Sequence, residues 1–175
     1  MSNTHSSSTA LPIAYVTLRI LIIVNWFMCA VVLALLFLVP NREWILSALD
    51  LSPSSDADRV VMGLRCIAGV GLMMVPLYYM VLKRLLAIID TVRAGDPFVA
   101  VNAQRLQAIA WAMLALQGLG VMMGAIAKAI STPAHPIDID AGFSTGGWLA
   151  VLLTFVLARV FAHGTAMRDD LQGTV

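Results

Sequence analysis

Charge is scarce in this sequence. Of its 175 residues only 12% are Asp, Glu, Lys or Arg, while 60% are hydrophobic; a soluble domain carries about a quarter charged residues. A mean hydropathy of +0.88 makes lipid the solvent for which such a chain is suited. The formal net charge is +1, so there is no polybasic field for direct nucleic-acid binding, and the placement of charges matters more than their sum. Cysteine is equally rare. Cys29 and Cys66 each fall inside an apolar run and read as small buried hydrophobes, not as a disulfide framework.

Other absences narrow the function. No Asp or Glu occupies the core of any long apolar stretch, which argues against a proton-coupled pump, because such pumps relay protons through intramembrane acids. His5, His135 and His163 lie in three separate polar segments and neither Cys has ligand spacing, so no metal or cofactor is expected. No phosphate-cradling glycine motif, acid pair or Ser/His/Asp set can be placed, and an enzyme is not expected. The first fourteen residues contain no Lys or Arg and so lack the charged start of a secretory signal. Segment 1–14 is expected to be a disordered polar tail.

What is present is four apolar stretches, at 15–39, 60–82, 106–127 and 144–162. The first, at a helical rise of about 1.5 Å per residue, reaches roughly 37 Å, enough to span the hydrocarbon with some tilt. The fourth is short unless Arg159 snorkels to the interface. Pro76 falls inside the second, where a proline kinks a membrane helix without unfolding it. Beyond Lys83 and Arg84, segment 85–93 keeps a helical pattern up to Gly95, a natural cap before Asp96 and Pro97. Asn102 is the expected N-cap of the third helix.

The linkers are polar. Segment 42–59 mixes Asp and Glu with Ser and Pro53, with a short interfacial turn expected at 44–49; segment 131–140 holds two prolines, His135, Asp138 and Asp140. Lys and Arg are disfavoured in external loops. One side carries Arg19, Lys83, Arg84, Arg93, Arg105, Arg159 and Arg168, and the other Arg42, Arg59, Arg65 and Lys128. The bias places both termini inside. The fold class expected is all-α: an integral membrane bundle of four transmembrane helices, antiparallel because the connections are short, with a cytoplasmic helical extension of the second. The domain spans 15–163, followed by a short cytoplasmic tail at 164–175.

Two motifs carry a family resemblance. Gly95, Asp96, Pro97 and Phe98, followed by Asn102 and Leu106, lie between the second and third helices. Ala158, Arg159, Val160 and Phe161, then Gly164, Arg168, Asp170, Leu171, Gly173, Thr174 and Val175, lie at the end of the chain. Together they resemble the bacterial membrane family of domain of unknown function 2975, over the whole chain beyond the N-terminal tail. The resemblance implies a bacterial inner-membrane protein of four helices. Some relatives are encoded beside a small helix-turn-helix regulator, which implies a membrane partner for a transcription factor.

Among individual residues, the loop Gly95, Asp96, Pro97, Phe98 with Asn102 has two readings. It is a tight turn with Phe98 tucked at the interface, or a docking surface for a cytoplasmic partner. Arg65, about a turn and a half inside the second span, reads either as a cation snorkelling to the outer interface or as part of a substrate path. Asn25 and Gln117 are placed to hydrogen-bond across helices, at about 0.6 kcal/mol each. Gly120 with Gly124, and Gly69 with Gly71, suit close helix approach or self-association. The function expected is a non-enzymatic regulatory or interaction role, with the lipid bilayer and a small helix-turn-helix regulator as partners. The alternatives are a small transporter or channel-like oligomer, and a structural or stress-related membrane component.

Overall fold

The computed structural model describes residues 10–38, 43, 47, 55–131 and 144–172. They form four long helices, α1 (Ala10–Leu38), α2 (Ser55–Arg93), α3 (Ala100–Ile130) and α4 (Thr145–Gln172), with no strand among them. All four are long and apolar enough to cross a membrane, and the chain is a multi-pass membrane protein. At 39 residues, α2 is roughly 58 Å long, about twice the hydrocarbon thickness.

Along each pair of helices, later residues of one meet earlier residues of the other, so neighbours run antiparallel. Between α1 and α2, the Arg93 guanidinium lies 5.0 Å from the centre of the Tyr15 ring, and Trp26 meets Tyr79 edge-on at 5.6 Å. The Asn25 amide donates to the Val75 carbonyl at 3.3 Å. Between α2 and α3, Thr91 meets Asn102 and Gly63 meets Ile130. Between α3 and α4, Trp111 meets Phe155 edge-on at 5.3 Å, the Thr154 hydroxyl, which donates to the Ala150 carbonyl at 2.7 Å, lies 3.7 Å from the Met113 sulfur, and Gln117 lies against Gly147.

The bundle expected from short connections is an open one. Among the described residues, each helix packs only on its neighbours in sequence: α1 on α2, α2 on α3, and α3 on α4. The buried core therefore follows α3, which has a neighbour on each side: Leu106, Ile109, Ala110, Ala112, Ala127 and Ile130 are buried, and none of the described side chains of α1 is fully buried. The alanines bring the backbones close where lipid supplies no hydrophobic drive for association.

The helices outrun the apolar stretches. Residues 10–14, expected in the N-terminal tail, are helical, and α4 continues through 164–172, expected as a C-terminal tail. Hydropathy falls at the edge of lipid, but the backbone hydrogen-bond ladder does not have to stop there. Segment 163–172 holds no proline, and the buried Thr165 hydroxyl bonds back to the Phe161 and Ala162 carbonyls at 3.0 and 2.9 Å. The α3 helix starts at Ala100 with Val99, not Asn102, at its N-cap. The expected turn at 44–49, apart from helical Ser47, and the loop at 132–143 with His135 lie outside the described residues, as do segment 1–9 and Arg42.

Cys66 is exposed and Cys29 half-buried, so Cys66 is not the buried hydrophobe expected; an outward-facing thiol in lipid carries no penalty. Of the glycines expected at close approaches, Gly124 is buried, whereas Gly69 and Gly71 differ from expectation. A Cβ on Gly69 or Gly71 would meet nothing, whereas one on Gly63 would lie 2.3 Å from the Ile130 side chain.

Candidate functional site

The antiparallel register brings the end of α2, the start of α3 and the end of α4 to one end of the molecule. Arg19, Lys83, Arg84, Arg93, Arg105, Arg159 and Arg168 share that end, and Arg59, Arg65 and Lys128 share the other. There the two separated sequence motifs become one structure.

Its first part is the turn that ends α2. Gly95 adopts φ +85°, a backbone conformation glycine reaches without the Cβ penalty of other residues. The Gly95 N–H donates to the Val92 carbonyl and the Asp96 N–H to the Thr91 carbonyl, each at 3.1 Å. This pair of bonds is the Schellman cap, which satisfies carbonyls left open at a helix end. Pro97 follows, where a helix cannot continue. The expected cap at Gly95 is present.

The second part is a buried polar knot. Asn102 is 0% exposed. Its amide nitrogen donates to the Thr91 hydroxyl at 2.7 Å and to the Pro97 carbonyl at 2.9 Å, while its amide oxygen accepts from Arg105 at 2.9 Å. Arg105 also donates to the Ala87 carbonyl at 3.1 Å. One asparagine thus joins α2, the turn and α3, which gives Asn102 a larger role than the N-cap expected of it. Arg105 is a structural donor here.

The third part is a clamp from α4. Arg168 forms an ion pair with Asp96, and its guanidinium donates to the Phe98 carbonyl at 3.2 Å. Phe98 stacks on Phe161 at 5.3 Å and 30° between planes, and lies 3.4 Å from where a Cβ of Gly164 would be. Gly164 leaves room for the ring. Asp96 and Arg168 are both partly exposed, so their coupling in a double-mutant cycle should be about 0.3–1 kcal/mol and fall with added salt. Arg168→Ala should cost more than Asp96→Ala, because the guanidinium also holds the Phe98 carbonyl. Unfolding of the four cycle members in mild detergent measures both; equal losses would contradict the geometry.

The other candidate residues stand apart from this junction. Asn25 makes its interhelical bond to Val75, beside Pro76. Gln117 does not make one: its amide nitrogen is buried against Gly147 without a hydrogen-bond partner among the described residues. Arg65 is exposed at the far end of α2. A hollow of about 440 Å³ lies between α2, α3 and α4, with Tyr78, Met113, Gln117 and Thr154 in its walls and no charged residue.

Thr91, Phe161 and Arg168 were not singled out from sequence as members of one site. The signal that joins them is geometric: once α2, α3 and α4 alternate in direction, positions near 91, 98 and 165 share a level.

A family model described as a protein of unknown function, DUF2975, matches residues 11–175. No curated protein and no solved structure matches the chain.

Proposed function

Since the chain belongs to the DUF2975 family over residues 11–175, we propose that it is a non-enzymatic protein of the bacterial cytoplasmic membrane which holds a small cytoplasmic regulator through the junction around Asp96 and Phe98. Both termini lie on the cytoplasmic side in this reading, in keeping with seven cations at the junction end and the exclusion of Lys and Arg from translocated loops. The end of α2 then projects into the cytoplasm as a helical extension.

One observation carries the proposal. The junction is braced internally by the Asn102 knot and the Asp96–Arg168 pair, yet it leaves Phe98, Val101 and Met167 46%, 49% and 67% exposed. Apolar side chains exposed beyond the apolar stretch of a span, on elements braced in this way, suit an interaction surface. A small helix-turn-helix regulator, the partner implied by the family resemblance, is the class of occupant proposed.

The test is photo-crosslinking in the native host from residues introduced singly at positions 101, 167 and 62. One discrete soluble protein should be captured from 101 and 167 and not from 62. Adducts to lipid alone at all three positions would overturn the reading. In a chain with Cys29 and Cys66 replaced, a cysteine at 167 should react with an impermeant maleimide only after lysis; labelling of intact cells would reverse the orientation.

A further inference from the structure

We propose that the groove between α3 and α4, on the bilayer side of the junction, is a binding site for an anionic phospholipid. It is seated by Arg159, Gln104 and Gln107 at its headgroup end and by Trp111 and Phe155 at its chain end. The groove encloses about 560 Å³. It exists because Ala100, Ala103, Ala158 and Ala162 form its walls; larger side chains there would fill it. From Ala100 to Trp111 it runs roughly 16 Å along the α3 axis at 1.5 Å per residue.

Its chemistry changes along that length. In the antiparallel register Trp111 is level with Phe155, and Gln107 and Arg159 are level with each other about one turn nearer the junction. Trp111 is 58% exposed, so the apolar end opens sideways to the bilayer, at the depth where tryptophan rings are enriched. The other end presents a guanidinium with five N–H donors and two primary amides. No Asp or Glu lines the groove, and among the described residues no acid is within ion-pairing distance of Arg159.

Each feature selects one part of the occupant. A cation and amide donors without an acid favour a phosphodiester, and Arg binds phosphate oxygens in a bidentate fashion. An apolar continuation open to lipid fits an acyl chain, and a free phosphate would leave that half of the groove unused. Basic pockets between transmembrane helices bind anionic headgroups by this combination. A zwitterionic phospholipid has the same chain, but its choline carries a second cation towards Arg159.

The test uses the full chain, purified and delipidated in mild detergent. Native mass spectrometry reads retained lipid, with phosphatidylglycerol and phosphatidylcholine offered at equal concentration. Phosphatidylglycerol should be retained roughly fivefold more, the discrimination expected from one cation near an anionic surface. Arg159→Ala should abolish that preference and Arg159→Lys should keep most of it. Arg65→Ala, at the far end, should leave it unchanged. Ala103→Leu combined with Ala162→Leu, which fills the groove and keeps Arg159, should lower retention of both lipids. All variants should elute as the same species with the same helical circular dichroism; a variant that does not is replaced by Arg159→Gln. Equal retention of the two lipids by the wild type would overturn the proposal. So would displacement of phosphatidylglycerol by inorganic phosphate at matched concentration, which would make this a soluble-anion site.

Discussion

Asn102→Ala is expected to destabilise the protein more than any other single truncation at the junction, by roughly 2–4 kcal/mol. Asn102 is fully buried and holds three partners. Two of its bonds are between neutral groups, each contributing about 1 kcal/mol, and the third, to Arg105, is charge-assisted and contributes about 1.5–3 kcal/mol. Truncation also strands the Pro97 carbonyl and leaves Arg105 with only the Ala87 carbonyl. Interhelical hydrogen bonds in membranes average only about 0.6 kcal/mol, because polar groups in the unfolded state find other partners within the bilayer. Asn102 should exceed that average because one side chain serves three elements, and no rearranged helix end supplies all three partners. Asn102→Asp keeps an acceptor for Arg105 but loses both amide donors, and should fall between wild type and Asn102→Ala. Unfolding by SDS titration after purification in mild detergent measures the series. A loss below about 1 kcal/mol for Asn102→Ala would mean that the knot contributes little.

The second large effect is expected at Gly63, where α2 and α3 come closest at the far end. A Cβ there would lie 2.3 Å from Ile130 Cγ2, 2.8 Å from Cδ1 and 3.3 Å from Cβ. Ile130 is buried and β-branched, so its side chain is stiff at χ1 and cannot swing aside. Gly63→Ala should cost about 1–3 kcal/mol and Gly63→Leu more, since overpacking forces the helices apart. If the clash is the cause, Ile130→Ala in the Gly63→Ala background should recover most of the loss, a coupling opposite in sign to simple additivity. Gly147→Ala is the contrast. The three atoms nearest its Cβ would all belong to the terminal amide of Gln117, the far end of a flexible side chain whose amide nitrogen has no hydrogen bond to lose among the described residues. It should cost less than about 1 kcal/mol. Equal losses at Gly63 and Gly147 would show that backbone proximity, not the rigidity of the neighbour, decides.

How far the sequence could be read follows from what each property depends on. The four spans were legible because the cost of transferring side chains into lipid is a sum over composition and needs no partner. The cap at Gly95 was legible because it is local: an apolar helical pattern followed by Gly-Asp-Pro. Helix ends were less so. Segments 10–14 and 164–172 are helical through backbone bonds that hydropathy does not register. Which face of each span meets its neighbour was not legible. The spans are apolar round their whole circumference, so no stripe marks the packing face, as it would in a helix half exposed to water. Glycines chosen by spacing, Gly69 and Gly71, consequently face open space, while Gly63 and Gly147 make the close approaches. The same holds at the junction. Asp96, Phe98 and Arg168 each belonged to a recognised motif, but the Asp96–Arg168 pair spans 72 residues and becomes visible only when the direction of each helix is known.

The open order of the helices bears on how the molecule is made. Among the described residues every interhelical contact joins elements that are consecutive in the chain, so each helix entering the bilayer during synthesis finds its earlier neighbour already there. No helix has to be held unpartnered until a distant segment emerges, and no long loop must close before packing begins, which keeps the entropic cost of assembly low. The exception is the last step. The clamp from Arg168 and Phe161 onto Asp96 and Phe98 forms only once α4 has been made, so the junction is locked after α1, α2 and α3 have been laid down.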